Sequence, residues 1–195
     1  MSRRLVPANP RSRNDIESLA LSIIRSLQPS VLKGNEQFDI ERFFDCYLEE
    51  LTGVSTDYRT LEDGIYGFTD TDDMICVISR ELAEDPFQKK FYRSTLAHEC
   101  GHAMMHVKDY RAKKAVLRSI HRKNHQLRVY REKDIITYKN PEWQAWRFAS
   151  AILIPESAFK AMVNEGCDIY DLSDSFGVNP AFVRTRLKAF NLKIK

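Results

Sequence analysis

The run His98-Glu99-Cys100-Gly101-His102 constrains this chain more than any other part of it. On an α-helix, side chains four residues apart share a face and stand one turn apart, about 6 Å along the axis. His98 and His102 therefore reach one ion together only if the segment is helical and that face meets a cleft. Glu99 stands one position round from His98, close enough to a water on such an ion to take its proton without ligating. Thr95-Leu96-Ala97 before the run and Ala103-Met104-Met105 after it supply apolar positions for the opposite side, as a packed helix with one polar stripe requires. Gly101 permits close approach of another segment. The texture predicts a helix from about Phe87 to roughly Val107.

Two imidazoles leave a zinc ion under-coordinated, since a catalytic site typically has three protein ligands and one open position. Glu142 is the best candidate for the third. Asn140-Pro141 has the form of a helix start, a capping residue followed by proline at the first helical position, and this helix runs to about Leu153 before Pro155. A carboxylate there completes a His-His-Glu set; its competing role is an acid at the positive end of the helix dipole. His106 lies one further turn along, about 6 Å beyond His102, and is read as a surface or packing histidine.

The rest of the chain must supply a core around this site. Of its 195 residues 43% are apolar, enough for one compact domain. Residues 1–13 are rich in Arg, Pro, Ser and Asn without period and predict a flexible arm. Helical spacing follows from Ile16 to Leu27, with Asn14 as cap and Glu17 three residues on, and again from Ile40 to Leu51 behind Asp39. Short apolar runs at Ile65–Phe68 and Met74–Ile78, either side of Thr69-Asp70-Thr71-Asp72-Asp73, predict strands. The fold class is therefore α+β, mostly helical, with a small antiparallel sheet of about three strands packed on the helix that carries the histidines. The metallopeptidase-like domain is placed at residues 14–155, and residues 156–195 read as helix, glycine turn, helix.

Between those two site helices, residues 108–136 form a basic insertion. From Lys108 to Lys133 there are ten Lys or Arg against Asp109 and Glu132, read as a solvated segment beside the cleft that can guide substrate. Arg184, Arg186 and Lys188 give the last helix a basic character, as in a helix-turn-helix, with structural or docking use preferred to DNA contact. A net charge of +3 is too small to imply nucleic-acid binding by the whole chain. No apolar signal core and no stretch of bilayer length occurs, and Cys46, Cys76, Cys100 and Cys167 form no CxxC pair; the expectation is a cytoplasmic protein with reduced thiols and no membrane partner.

Ser94 to His102, followed by Pro141-Glu142-Trp143-Gln144-Ala145 through Phe148-Ala149 and Ile152-Leu153-Ile154-Pro155, resembles the ImmA/IrrE metallopeptidases. Gly64 to Phe68 and Met74 to Ile78 look like that family's small sheet, so the likeness runs roughly from Asp39 to the C-terminus. The resemblance implies a gluzincin-like zinc endopeptidase of bacteria, phages or mobile elements that cuts a DNA-binding repressor or similar regulator. Carried over by motif, His98, His102 and Glu142 hold Zn2+ and Glu99 is the base. Oxyanion donors are open among Tyr130, Tyr138, His121 and His125. Family members usually have Leu where Cys100 stands. They commonly place Asn where this chain has Trp146, and an indole offers only a donor, so it cannot accept the ring N–H of a ligating histidine. Trp146, the basic insertion and the last helices motivate the alternative, a zinc-stabilised regulatory or DNA-binding module.

Overall fold

The computed structural model describes residues 3–34, 36–120 and 127–194. In chain order these form β1 (Arg4–Leu5), α1 (Arg13–Leu27), a 3-10 turn, α2 (Ile40–Arg42), a π-helical turn (Phe43–Tyr47) and α3 (Leu48–Thr52). Strands β2 (Ser55–Arg59), β3 (Gly67–Asp70) and β4 (Ile75–Ser79) and the short α4 (Arg80–Glu84) lead into α5 (Lys89–His102). A π-helical turn (Ala103–Val107) joins α5 to α6 (Lys108–Ile120); β5 (Tyr130–Arg131) and α7 (Pro141–Leu153) follow, then α8 (Glu156–Asn164), α9 (Ile169–Phe176) and α10 (Pro180–Phe190). The architecture is the expected mostly helical α+β type.

The sheet has the order β2-β4-β3 and is mixed rather than wholly antiparallel. Asp70 Oδ1 accepts from the backbone N–H groups of Asp72 and Asp73 at 2.7 and 3.0 Å, which tightens the turn that folds β3 back on β4 as a hairpin. β2 then pairs with the other edge of β4 and runs parallel to it, from Ser55 opposite Ile75 to Arg59 opposite Ser79. β4 takes the centre because Cys76, Val77 and Ile78 are its buried residues, whereas Ser-Thr-Asp-Tyr-Arg and Gly-Phe-Thr-Asp suit edges.

α5 lies between this sheet and α7. Leu96, Ala97 and Cys100 meet Phe148, Ala149 and Ile152 in the core. Gly101 sits where a Cβ would come within 3.1 Å of the Ala145 carbonyl oxygen and 3.2 Å of the Phe148 ring, so its missing side chain lets the two helices close on each other.

α1 starts two residues earlier than its sequence suggests. Ser12 and Asp15 form the capping box, which frees Glu17 to face inward. There its carboxylate meets Arg147 on α7 at 3.2 Å and accepts from Arg186 Nη2 on α10 at 2.8 Å. Arg186 is wholly buried and also donates to the Ile154 carbonyl at 3.0 Å. Of the three basic residues expected on the last helix, Arg184 and Lys188 remain exposed and Arg186 is a structural tie.

Residues 3–12 do not form a loose arm. β1 pairs antiparallel with β5, the Ala8 N–H donates to the Lys139 carbonyl at 2.8 Å, and Arg11 donates to the Met105 carbonyl at 3.1 Å and to Asp109 at 3.0 Å. These partners lie about a hundred residues downstream, and local periodicity carries no trace of them. All four cysteines are free, and among the described residues no helix is long and apolar enough to cross a membrane.

Candidate metal centre

Two helices bring the site together. α5 presents His98 and His102 one turn apart, with their Nε2 atoms 3.1 Å from each other. α7 begins where Asn140 Oδ1 accepts from the N–H groups of Glu142 and Trp143 at 2.9 and 3.2 Å, with Pro141 in its first turn. Glu142, one residue into the helix, reaches across to the histidines: Oε2 lies 3.5 Å from His98 Nε2 and Oε1 3.6 Å from His102 Nε2.

These separations can be set against the chemistry of an ion. Two donors each about 2.0–2.1 Å from a tetrahedral zinc stand about 3.3–3.4 Å apart. The three observed spacings, 3.1, 3.5 and 3.6 Å, bracket that value, and two imidazoles with one carboxylate are a set that suits such an ion. Glu142 thus stands in the first turn of α7, at the positive end of its dipole, and faces both histidines at ligand spacing.

The protonation states agree with ligation. Burial pushes His102 well below the usual imidazole range, so it is neutral. Burial would raise the Glu142 carboxyl, but His98 and Arg3 outweigh it and hold the group below its ordinary value as a carboxylate; Arg3 Nη1 lies 2.9 Å from Oε2. Glu99 is buried beside the pair, and that burial raises its carboxyl above the ordinary range, opposed in part by His98 and Thr69. Thr69 on β3 donates to Glu99 Oε2 at 2.8 Å. Gly67 on the same strand faces Glu99, where a Cβ would stand 3.0 Å from its Cγ. Glu99 is thus clamped against the sheet with its proton affinity raised.

The two histidines are oriented in different ways. His102 Nδ1 lies 2.9 Å from His106 Nδ1, and His106 Nε2 lies 3.0 Å from Gln144 Oε1. His106 is not a surface residue: it is 2% exposed, and burial holds it neutral with a pKa lowered to about 4. His98 Nδ1 is buried with no hydrogen-bond partner among the described residues. Its ring instead packs on Trp146, with centroids 4.1 Å apart and the planes tilted by 38°, so an aromatic contact stands where an accepting side chain would otherwise fix the ring.

A cleft of about 910 Å3 opens beside the site and is lined by His102, Glu142, Leu5, Asp72, Arg111 and Lys114. The basic segment forms one wall of it. Lys114 pairs with Asp72 at 2.5 and 2.7 Å, and Arg111 donates to the Thr71 and Asp72 carbonyls at 3.3 and 3.1 Å. Of the oxyanion candidates, Tyr130 lies on β5 and Tyr138 beside α7, and neither lines the cleft among the described residues; His121 and His125 fall outside those residues. Sequence reasoning missed Thr69, Gln144 and Arg3. His106 carried the one available signal, its helical spacing from His102.

The model of the family described as Peptidase_M78, the IrrE N-terminal-like domain, matches residues 83–188, just over half the chain, with His98, Glu99, His102 and Glu142 among them. No match was found among curated proteins. A solved structure described as a Mycobacterium tuberculosis transcriptional regulator is similar, with a TM-score of 0.56 and 17% identity over 90% of this chain and 46% of that one. The chain spans about half the length of that structure, and at this identity the likeness speaks for the fold alone.

Proposed function

Given that this chain belongs to the IrrE N-terminal-like domain family of peptidases, we propose that it is a zinc-dependent endopeptidase that cuts a DNA-binding repressor or similar regulatory protein. The observation that carries the reading is the convergence of His98, His102 and Glu142 at tetrahedral spacing beside a buried carboxylate that does not ligate. A zinc ion held there supplies a Lewis acid that lowers the pKa of water to about 7 and polarises a peptide carbonyl.

The protein's own groups do the rest. Glu99, kept in place by Thr69 and made more basic by burial, takes the proton of the attacking water. It then delivers that proton to the leaving amine as the peptide bond breaks. The cleft between α6, the β3–β4 turn and residues 4–6 receives the substrate chain, and Arg4, Arg111 and Arg118 on its wall favour a substrate with acidic residues near the cut.

Glu99→Gln should retain zinc and lose cleavage of the repressor-like product of a neighbouring gene on coexpression. Equal fragment yield from both forms would remove Glu99 from the mechanism. A second reading, a zinc-stabilised regulator with little activity, is supported by Arg184 and Lys188 exposed on α10 and by the name of the similar structure. Salt-sensitive duplex binding by the protein would favour it.

A further inference from the structure

Gln144 has only one orientation open to it. Its Nε2 lies 2.8 Å from the Asn9 carbonyl and 2.8 Å from the Tyr138 carbonyl. Both partners only accept, so the two amide hydrogens point at them and a flipped amide would face oxygen with oxygen. Its Oε1 is therefore the acceptor that faces His106 Nε2 at 3.0 Å, and the ring proton of His106 belongs on Nε2.

An imidazole with one proton on Nε2 has a lone pair on Nδ1. That lone pair lies 2.9 Å from His102 Nδ1, which must then carry a proton to share. His102 is left with a bare Nε2, on the side where His98 and Glu142 converge. With two protons on His106 the order reverses: His102 Nδ1 would accept, and its remaining proton would sit on Nε2 and block ligation.

From this chain of donors and acceptors we propose that His106 and Gln144 are positioning residues that lock His102 as its Nδ1–H tautomer, so that Nε2 presents a lone pair to the metal ion. The proposal rests on the metal reading given above. Gln144 is fully buried, and its two carbonyl anchors come from the first segment and from the turn before α7. The orientation of one ligand is thus set by three separate stretches of chain. His98 has no such support, since its Nδ1 lacks a partner among the described residues, and the two histidines of the site are held unequally.

The test compares the full-length wild type with His106→Phe, Gln144→Leu and the double variant, using Zn2+ alone in competition with a chromophoric chelator. Each single variant should lose zinc affinity on the order of 10- to 100-fold. The double variant should lose no more than His106→Phe, because Gln144 acts only through His106. Alongside, nitrogen-15 spectra of histidine-labelled, metal-free protein should show His102 protonated on Nδ1 in the wild type and lose that signature in the variants. Undiminished affinity in folded single variants, or losses that simply add, overturns the proposal. So does an Nε2–H His102 in the wild type, an observation that stands even if the variants fail to fold. A wild type that takes up no Zn2+ overturns the metal reading itself and this proposal with it, whereas normal wild-type uptake with unaffected variants overturns the positioning role alone.

Discussion

Replacing Trp146 by Asn should tighten metal binding while slightly loosening the fold. The indole packs on His98 at 4.1 Å with the planes tilted by 38° and meets Phe182 edge-on at 5.9 Å; losing such aromatic contacts costs about 0.5–1.5 kcal/mol each. Trp146 is 42% exposed, so its removal leaves a surface notch rather than a sealed cavity, and the total loss should be about 1–3 kcal/mol. Against this, Asn brings an acceptor to the ring nitrogen of His98 that now has none among the described residues. Partners of this kind, which hold a ligating ring in place, change metal affinity by about 10- to 100-fold. Chelator competition with Zn2+ should therefore show Trp146→Asn binding about tenfold more tightly, while urea denaturation of metal-free protein shows a lower midpoint. A folded variant that binds zinc no better than wild type would refute the argument that the aromatic contact is the weaker support for His98.

Glu17→Ala leaves Arg186 and Arg147 buried without their shared carboxylate, which should cost about 3–5 kcal/mol in urea unfolding; a change under about 1 kcal/mol would show that the trio is not a tie. Gly101→Leu drives a side chain into the Ala145 backbone, and since helix interfaces resist overpacking by about 1–3 kcal/mol, circular dichroism should record a lower Tm together with weaker zinc uptake as α7 is pushed outward. Metal-free protein should lose stability on acidification: the folded value of His106, about 4, lies below the ordinary 6.5, so the unfolded chain takes up a proton first. The contribution is complete above about pH 6.5 and disappears as the pH falls towards 4. His106→Phe should flatten that part of the profile in urea titrations at stepped pH, and an unchanged slope would exclude His106 as its source.

The ligand helix, Glu142 and the capped start of α7 were legible in the sequence because each rests on local spacing: two histidines a turn apart, and Asn-Pro at a helix start. The mixed sheet was not, since β2, Ser-Thr-Asp-Tyr-Arg, lacks the apolar run that marks β4, and the alternation of side chains along a strand reads the same whichever way it pairs. The packing of residues 3–12 depends on backbone carbonyls at Lys139 and Met105, and carbonyls are present at every position, so composition cannot reveal which are used. His106, read as a surface or packing histidine, is the buried one of the two, but its partner was not foreseen, for a related reason. Distance along the axis excluded it as a ligand, correctly, yet the same distance suits a partner behind His102. Capping at Ser12 rather than Asn14 shows the limit of propensity, because Glu17 fits the box pattern but is taken by two arginines.

The π-helical turn at Ala103–Val107 works as a phase shifter. A π-turn holds one more residue than the α-helical repeat, and each residue advances the helix by about 100°, so α5 and α6 share a rod but not a rotational setting. The histidines can therefore look inward while Arg111 and Lys114 look toward the β3–β4 turn. Deleting a single residue there would heal the helix and spare the HECGH run, yet spin α6 by more than a quarter-circle and dismantle the wall of the cleft.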